Sequence, residues 1–328
     1  MARPVARTTC LKLCISGPFG GVVRRACTAA LGTFLARISL RPPPWRRSVG
    51  PVSRPVSVLP QADVVPALFG VLADIDRLLD GLPEVRWEAR VPLPAWRVRD
   101  VVAHVLGTEL LLQGESAPPA EVSGLTHVRN PIGEMNEAWV QHLGVLTPDR
   151  LLARFREVTA KRRAELAAMS TEEWNAVMAT PVGPESYGRF MRVRIFDCWM
   201  HEQDIREGLG RPSTDEDLSC PGARMALDEI AAGLARVVGK QGKAPAGSRV
   251  LFSLTGPLSR EIRVAVDERA AVVQAFDGEP TTVIRMDGLQ FTRRCGGRPL
   301  AVTRADEVEY EGDVEVGELI VANLAFVI

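Results

Sequence analysis

The hydrophobic pattern of the chain changes its period once, and this change constrains the fold more than any other sequence feature. Up to about residue 240, apolar residues recur every three or four positions, as on the buried face of a helix. Beyond the segment 241–248, RVLFSLTG and EIRVAVD alternate apolar and polar residues, which is typical of strands. AAVVQAFDG and TTVIRMD continue the alternation, whereas LQFTRRC and the tail GDVEVGELIVANLAFV favour helices. The pattern predicts a multi-domain chain, α followed by α+β.

The helical part contains recognisable start signals. Thr147 and Pro148 are typical of an N-cap and a first helical position, so a helix is predicted to begin there. Ser170 and Glu173 have the spacing of a capping box, which predicts one further short helical turn. The predicted helices are 62–81, 97–113, 133–146, 148–169, 188–208 and 222–239, with loops at 114–130 and 179–187.

Residues 1–58 differ in composition from the rest of the chain. Ten of the 40 basic residues and none of the 40 acidic residues lie there, so the remainder carries ten more acidic than basic residues. This leader resembles a transit peptide; the alternatives are disordered chain or a start of translation near Val56 or Val58. It lacks the apolar run of a secretory signal or a membrane span. The predicted domains are a helical domain at 59–240, a linker at 241–248 and an α+β domain at 249–328.

Charge and cysteine usage narrow the class of protein. An acidic body is poorly suited to neutralising nucleic-acid phosphates, so we expect no nucleic-acid partner. Outside the leader the cysteines are Cys198, Cys220 and Cys295, an odd and widely spaced set without a Cys-x-x-Cys motif. That pattern is typical neither of a disulfide framework nor of a cysteine zinc site, and it suits a reducing cytoplasm. We expect a cytoplasmic protein without a membrane partner, and the oligomeric state stays open.

The segment VRIFDCWMHEQDIR at 193–206 carries the most distinctive chemistry. Asp197 and His201 are four residues apart, so their side chains project from one face of one helix. Two ligands on one turn and a third from another helix form a tripod with an open coordination position, as in catalytic zinc sites. The alternative is an intrahelical hydrogen bond that contributes roughly a few tenths of a kcal/mol. The spacing alone leaves both interpretations open.

His104 is the candidate for the third ligand, because its apolar neighbours place it near the helical interior; the alternative is a structural, hydrogen-bonded histidine. We expect His127 and His142 to be solvated. Ile205 stands where an HExxH motif would need its second histidine, which excludes a zincin peptidase. Cys198 points away from Asp197 on the helix, and no base is placed to activate it as a nucleophile.

The motif PAWRVRDVVAHVLGTE at 94–109, followed by RIFDCWMHEQDIREGLGRP at 194–212, resembles the mycothiol-dependent maleylpyruvate isomerase family. LFSLTGP, PTTVIRMDGLQFTRRCGGR and YEGDVEVGELIVANLAF are similar to the C-terminal domain of that family. The resemblance covers about 60–328. It implies a DinB-like four-helix bundle followed by a small sterol-carrier-like α+β domain.

The resemblance also implies a metal site. Family members bind a divalent metal, usually zinc, through a histidine on the second helix and an acid-x3-His pair on a later one. These positions correspond to His104, Asp197 and His201. The family pattern has Glu where Asp197 stands, and the side chain of Asp is one methylene shorter. The shorter side chain is expected to change the metal affinity or loosen the site. It weakens the inference of activity more than the inference of a metal.

The implied chemistry uses mycothiol, a low-molecular-weight thiol, as a cofactor and a small molecule as the substrate. A zinc ion with an open position stabilises the thiolate, which adds to a maleylpyruvate-like diacid for cis–trans isomerisation or displaces a leaving group in S-transfer. Arg298 is the counterpart of the arginine that binds an anionic substrate, with Arg293 or Arg294 as alternatives. The competing hypotheses are a non-catalytic metal- or thiol-binding protein of the same fold and a purely structural protein.

Overall fold

A computed structural model describes residues 56–301 and 306–326, and the first part of this range is helical. Most of the leader lies outside the described residues, so the predictions for it stay open. The predicted helices are confirmed to within a few residues. Their bounds are α1 Gln61–Leu79, α2 Glu84–Trp87, α3 Val98–Leu112, α4 Pro131–Leu143, α5 Pro148–Ala168, α6 Thr171–Asn175, α7 Tyr187–Gly208, α8 Asp215–Leu218 and α9 Pro221–Arg236, the last continued by a π-helical turn, Val237–Gln241.

Helix ends follow the capping signals in the sequence. Ser170 accepts a hydrogen bond from the backbone N–H of Glu173, and the Glu173 carboxylate accepts one from the backbone N–H of Ser170, as the capping box predicts. Asn130 caps α4 by accepting from the N–H of Gly133, ahead of Pro131. The long helices bury their apolar faces against one another. α1 packs on α7, α5 and α9, while α3 packs on α4, α5 and α7.

The predicted loop at 179–187 is wrong over most of its length. Val177–Thr180 and Gly183–Ser186 form an antiparallel hairpin, β1 and β2, and α7 begins directly after it. Gly183 has φ of 101°, a conformation that favours glycine, and the Thr180 hydroxyl donates to its carbonyl oxygen at 2.6 Å. The proline and glycine of this segment predict a loop, but they lie in a hairpin with two strands of four residues each.

The C-terminal part is built on a five-stranded sheet. Its strands are β3 Arg249–Thr255, β4 Arg260–Val266, β5 Ala270–Val273, β6 Thr282–Asp287 and β7 Glu309–Gly312, in the spatial order β5-β4-β3-β6-β7. β3 and β6 are parallel, and the other neighbouring pairs are antiparallel. The alternation in the sequence predicts the first four of these strands. β7, with the sequence EYEG, has no such alternation and was not predicted.

Two helices complete the sheet-containing part and bring it to the helical part. They are α10 Gly288–Cys295 and α11 Val314–Ala322, and both fall within segments predicted to be helical. The turn after α10 meets α7, since a Cβ added at Gly296 would lie 2.5 Å from the terminal methyl of Met200. α9 also contacts β4 and β5.

The predicted combination of a helical N-terminal region and a sheet-containing C-terminal part is confirmed. The four-helix bundle, the sterol-carrier-like fold and the domain boundaries stay predictions. Among the described helices, none has both the length and the apolar character needed to cross a membrane.

Candidate metal centre

His104 comes from the middle of α3, where its side chain is 5% exposed. The preceding loop places Trp96 against it, with ring centroids 5.4 Å apart. Ala95, just before Trp96, has φ of 69°, in the left-handed region that non-glycine residues rarely adopt. The segment VPLPAW at 91–96 thus holds the indole of Trp96 against the imidazole of His104.

Asp197 and His201 project from one face of α7 toward His104. The Nε2 atom of His104 lies 3.4 Å from Oδ2 of Asp197, and Nε2 of His201 lies 3.6 Å from Oδ1. The imidazole centroids are 4.7 Å apart, and the candidate ligand atoms of all three residues lie within 4.8 Å of one another. Asp197 is the solvent side of the cluster, with 31% of its side chain exposed. The structure therefore brings the three residues together as a candidate metal site.

The second nitrogen of His201 is fixed by a buried carboxylate. Nδ1 of His201 and Oδ2 of Asp204 are 3.0 Å apart, and Asp204 is fully buried. The guanidinium of Arg298 donates to the same carboxylate, from Nη2 at 3.0 Å and from Nε at 3.3 Å. A partner on Nδ1 leaves Nε2 of the neutral ring as the lone-pair donor. Arg298 thus connects the C-terminal part of the chain to the orientation of His201.

A second buried network holds Asp197. Arg194, one turn earlier on α7, donates to Oδ2 of Asp197. Its Nε and Nη2 donate to Glu109 at 3.1 and 2.9 Å, and Glu109 also accepts from Arg162 at 3.2 Å. Arg162 donates further to the hydroxyl of Tyr187. Both oxygens of the fully buried Glu109 are therefore occupied by guanidinium groups, and the network fixes the position of the Asp197 carboxylate.

The electrostatics favour deprotonated ligands. Burial by itself raises the pKa of the Asp197 carboxyl, but Arg194 and His104 outweigh it and hold that pKa well below its usual range. Burial lowers the pKa of His104, against the opposing effect of the Asp197 carboxylate, so the ring is neutral at pH 7. Burial also raises the pKa of Asp204, but Arg298 and His201 reverse this, and the net pKa is lowered. An anionic carboxylate and neutral imidazoles are the forms that bind metal.

A third layer links the centre to α4 and to the loop before it. The indole centroid of Trp96 lies 6.0 Å from that of His201, and its Nε1 donates to Oε2 of Glu137 at 3.3 Å. The same oxygen lies 3.0 Å from Nε2 of His127. The prediction that His127 is solvated is therefore wrong, since it is partly buried and paired. His142 is exposed, as predicted.

The alternative arginines and the cysteine of α7 have other partners. Arg293 donates to the carbonyl oxygen of Pro299 at 2.5 Å, and Arg294 pairs with Asp306 at 2.6 Å. Cys198 is fully buried, and burial raises the pKa of its thiol, which agrees with the prediction that it is no nucleophile.

Sequence reasoning missed four residues around the ligands: Trp96, Glu109, Arg194 and Asp204. Asp204 had a signal, because it follows His201 by three residues and so lies on the same helix face. Arg194 precedes Asp197 by three residues in the same way. Glu109 had none, since its partners come from helices distant in sequence.

The family models match most of the folded chain. The model described as the mycothiol maleylpyruvate isomerase N-terminal domain matches residues 69–206, which contain all three candidate ligands. The model of the corresponding C-terminal domain matches residues 224–318. The chain belongs to the mycothiol-dependent maleylpyruvate isomerase family. The structure is similar to a crystal structure of the mycothiol-dependent maleylpyruvate isomerase, with a TM-score of 0.51 and 19% sequence identity. The match covers 77% of this chain and 93% of that one, and it shows a similar fold.

Curated relatives match a shorter stretch. Two uncharacterized proteins from strains of Mycobacterium tuberculosis are 28% identical over 146 residues, which is 43% of this chain. The chain spans about half the length of these relatives, 55% in each case.

The donor set of this family member fits a divalent ion such as zinc. Two imidazole nitrogens and one carboxylate oxygen form the three-protein-ligand set of catalytic zinc sites. The hydrogen bond from His201 to Asp204 is the outer-shell contact that metal-binding histidines commonly make. The buried Nδ1 of His104 has no hydrogen-bond partner among the described residues. The side chain of Asp197 is 31% exposed, so solvent reaches the candidate site on this side.

Proposed function

We propose that the protein is a mycothiol-dependent metalloenzyme whose divalent ion, zinc, is held by His104, Asp197 and His201. The observation that carries the proposal is the convergence of these three side chains, with ligand atoms within 4.8 Å, in a chain of this family. An intrahelical hydrogen bond does not account for the contribution of His104 from a different helix. It also does not account for Asp204, which holds the second ring nitrogen of His201.

The residues around the ligands keep them in place. Asp204 accepts from Nδ1 of His201 and so keeps its Nε2 directed at the centre. Arg194 donates to one oxygen of Asp197 and so fixes the orientation of its carboxylate. Trp96 packs against both imidazoles and shields that side from water. The ligands are therefore preorganised before any ion binds.

A bound ion of this kind supplies a Lewis acid that lowers the pKa of a thiol ligand and so favours the reactive thiolate. We propose two reactions that use such a thiol. One is the cis–trans isomerisation of a maleylpyruvate-like diacid, for which Arg298 would bind a carboxylate after leaving Asp204. The other is S-transfer, in which the sulfur displaces a leaving group.

The finer architecture is part of the same proposal. We assign a DinB-like four-helix bundle to 59–240, a linker to 241–248 and a sterol-carrier-like α+β domain to 249–328. The free thiols of Cys198, Cys220 and Cys295 support a cytoplasmic location.

A second candidate is a non-catalytic metal- or thiol-binding protein of the same fold. Two observations favour it: Asp197 already pairs with Arg194, and the proposed substrate contact Arg298 already pairs with Asp204. These pairings limit what Asp197 can offer to an ion and what Arg298 can offer to a substrate.

The test uses the full-length chain loaded with Co²⁺, whose absorption spectrum reports on its ligands. We expect mycothiol to change the spectrum, and expect turnover of maleylpyruvate or of an S-transfer substrate only when mycothiol is present. His104→Ala should abolish both signals, whereas His142→Ala, at an exposed histidine, should abolish neither. A spectral change without turnover would favour the non-catalytic candidate. A chain that binds neither Co²⁺ nor mycothiol would contradict both.

A further inference from the structure

Among the described residues, the two arginines at the metal centre, Arg194 and Arg298, have their guanidinium nitrogens paired with protein acceptors. Arg298 uses Nε and Nη2 on Asp204 and donates from Nη1 to the carbonyl oxygen of Gly296 at 2.7 Å. Arg194 uses all three nitrogens on Glu109 and Asp197. Both side chains are at most 9% exposed. A dianionic substrate would have to break one of these buried pairs, which leaves an uncompensated carboxylate behind.

A cavity of about 350 Å³ lies between the end of α3, the loop 114–130 and α4. This volume is within the range of small-molecule sites, about 300–1,000 Å³. The described residues that line it are Leu111, Ser116, Ala117, Pro118, Ala120, Val122, Pro131, Glu134, Met135 and Ala138. Eight of these ten side chains are apolar, the only charge among them is the carboxylate of Glu134, and none is cationic.

Two helices connect the lining of the cavity to the metal centre. Leu111 follows His104 by seven residues, so it lies on the same face of α3, about 10 Å further along the axis. On α4, Glu137 lies between Glu134 and Ala138, and it accepts the indole N–H of Trp96 beside the imidazoles. Both connections lead from the lining of the cavity to the candidate ligands.

We propose that this cavity binds the body of an uncharged, apolar electrophile, and that the reaction is transfer of the mycothiol sulfur to it. This inference rests on the proposed function. An apolar wall stabilises an apolar group by excluding water, whereas a carboxylate placed there would lose hydration, gain no cation and face Glu134. The charge pattern therefore selects S-transfer over isomerisation of a diacid.

The transfer step needs only the thiol and an electrophile that carries a leaving group such as a halide. The sulfur forms a bond to the electrophilic carbon, and the carbon–halogen bond breaks. The halide departs with the bonding pair, and the thiol proton passes to solvent. The products are a thioether, a halide ion and a proton, and nothing is oxidised or reduced.

The binding test compares two probes with the same two-ring skeleton, 2-acetylnaphthalene and 2-naphthoate, by calorimetric titration of the full-length chain with and without zinc. We expect the neutral ketone to bind at least about ten-fold more tightly, a difference of about 1.4 kcal/mol. Glu134→Arg, which supplies a cation at the cavity, should reduce this preference.

Two matched variants locate the binding. Met135→Trp fills the cavity from a half-buried position and should weaken ketone binding about ten-fold or more. Met225→Trp, at a half-buried methionine of α9, should leave it unchanged. An unchanged affinity in Met135→Trp would overturn the proposal.

Equal or tighter binding of 2-naphthoate would also overturn it. Loss of that binding in Arg129→Gln would then identify an exposed arginine of the same loop as the anion contact. The proposed function is tested separately: it fails if the chain binds no metal or if its activity does not depend on mycothiol. A chain that binds metal but prefers 2-naphthoate overturns the substrate class alone.

Discussion

Asp204→Asn tests whether the buried carboxylate orients a metal ligand. In the native chain Oδ2 of Asp204 accepts from His201 Nδ1 and from Arg298 Nη2, each at 3.0 Å, and Oδ1 accepts from Arg298 Nε at 3.3 Å. The amide of Asn has one acceptor oxygen. If it takes the position of Oδ2, its NH₂ group faces the Nε–H of Arg298, so one hydrogen bond becomes a contact between two donors.

The expected loss has two parts. Mutation of an outer-shell partner of a metal-bound histidine typically costs 10–100-fold in metal affinity, or about 1.4–2.8 kcal/mol. Asn keeps the hydrogen bond to Nδ1 of His201 and removes the charge, so we expect the lower end, about ten-fold. Breaking one side of a buried ion pair costs about 3–5 kcal/mol of folding free energy. Because Asn retains the two hydrogen bonds at the Oδ2 position, we expect the lower end of that range, about 3 kcal/mol.

The assay is a competition titration of zinc against a chromophoric chelator, paired with urea unfolding of the metal-free chain. Asp277→Asn, at an exposed aspartate far from the centre in sequence, is the matched control and should change neither quantity. His201→Ala should abolish zinc binding. If folded Asp204→Asn binds zinc within two-fold of the parent, the charge of the Asp204 carboxylate does not support the ligand and the reasoning is refuted.

Three further predictions concern the packing and the ligands. Glu109→Gln should destabilise the chain by about 3–5 kcal/mol in urea unfolding, because two buried guanidinium groups lose their counter-charge, whereas Glu165→Gln, at a more exposed ion pair, should cost at most about 1 kcal/mol. Gly107→Ala should lower the free energy of unfolding by about 1–3 kcal/mol, since the added Cβ would lie 2.4 Å from the side chain of Trp139. Gly70→Ala, whose added Cβ meets nothing within 4 Å, should raise it by about 0.4–1 kcal/mol. Equal effects of the two substitutions would refute the packing argument. Zinc affinity should fall as the pH falls below about 6.5, because protons compete with zinc for the imidazoles. The lowered pKa of His104 should keep its ring available for zinc at a lower pH than a free imidazole would be. Zinc titrations that do not depend on pH would contradict imidazole ligation.

The sequence predicted the three residues of the candidate metal site better than it predicted their surroundings. The spacing of Asp197 and His201 places both on one helix face, and this is a local property that helical geometry guarantees. Their encounter with His104 depends on packing between helices that are about 90 residues apart, which periodicity does not encode. Only the family resemblance joined the three residues into one site.

Arg298 illustrates the limit in the opposite direction. The resemblance implies a substrate contact for this residue, and the structure shows its guanidinium on Asp204. A motif gives a residue type at a position, but the partners of that residue depend on the fold. The substrate contact therefore stays a prediction.

The fold shows the same division. Long amphipathic helices and alternating strands were predictable, because their burial patterns repeat over many residues. The hairpin of β1 and β2 and the edge strand β7 were not, since each strand has only four residues and is ordered by its neighbours. Tertiary pairing decided these segments.

Metal content tests the central claim most directly. The full-length chain, its His104→Ala and His201→Ala variants and the exposed-site control His142→Ala would be incubated with zinc, dialysed and measured by elemental mass spectrometry. We predict about one zinc ion per chain in the parent and the control, and none in the other two variants with folding intact. A parent chain without metal, or variants that retain it, would contradict the assignment of His104, Asp197 and His201 as a metal centre.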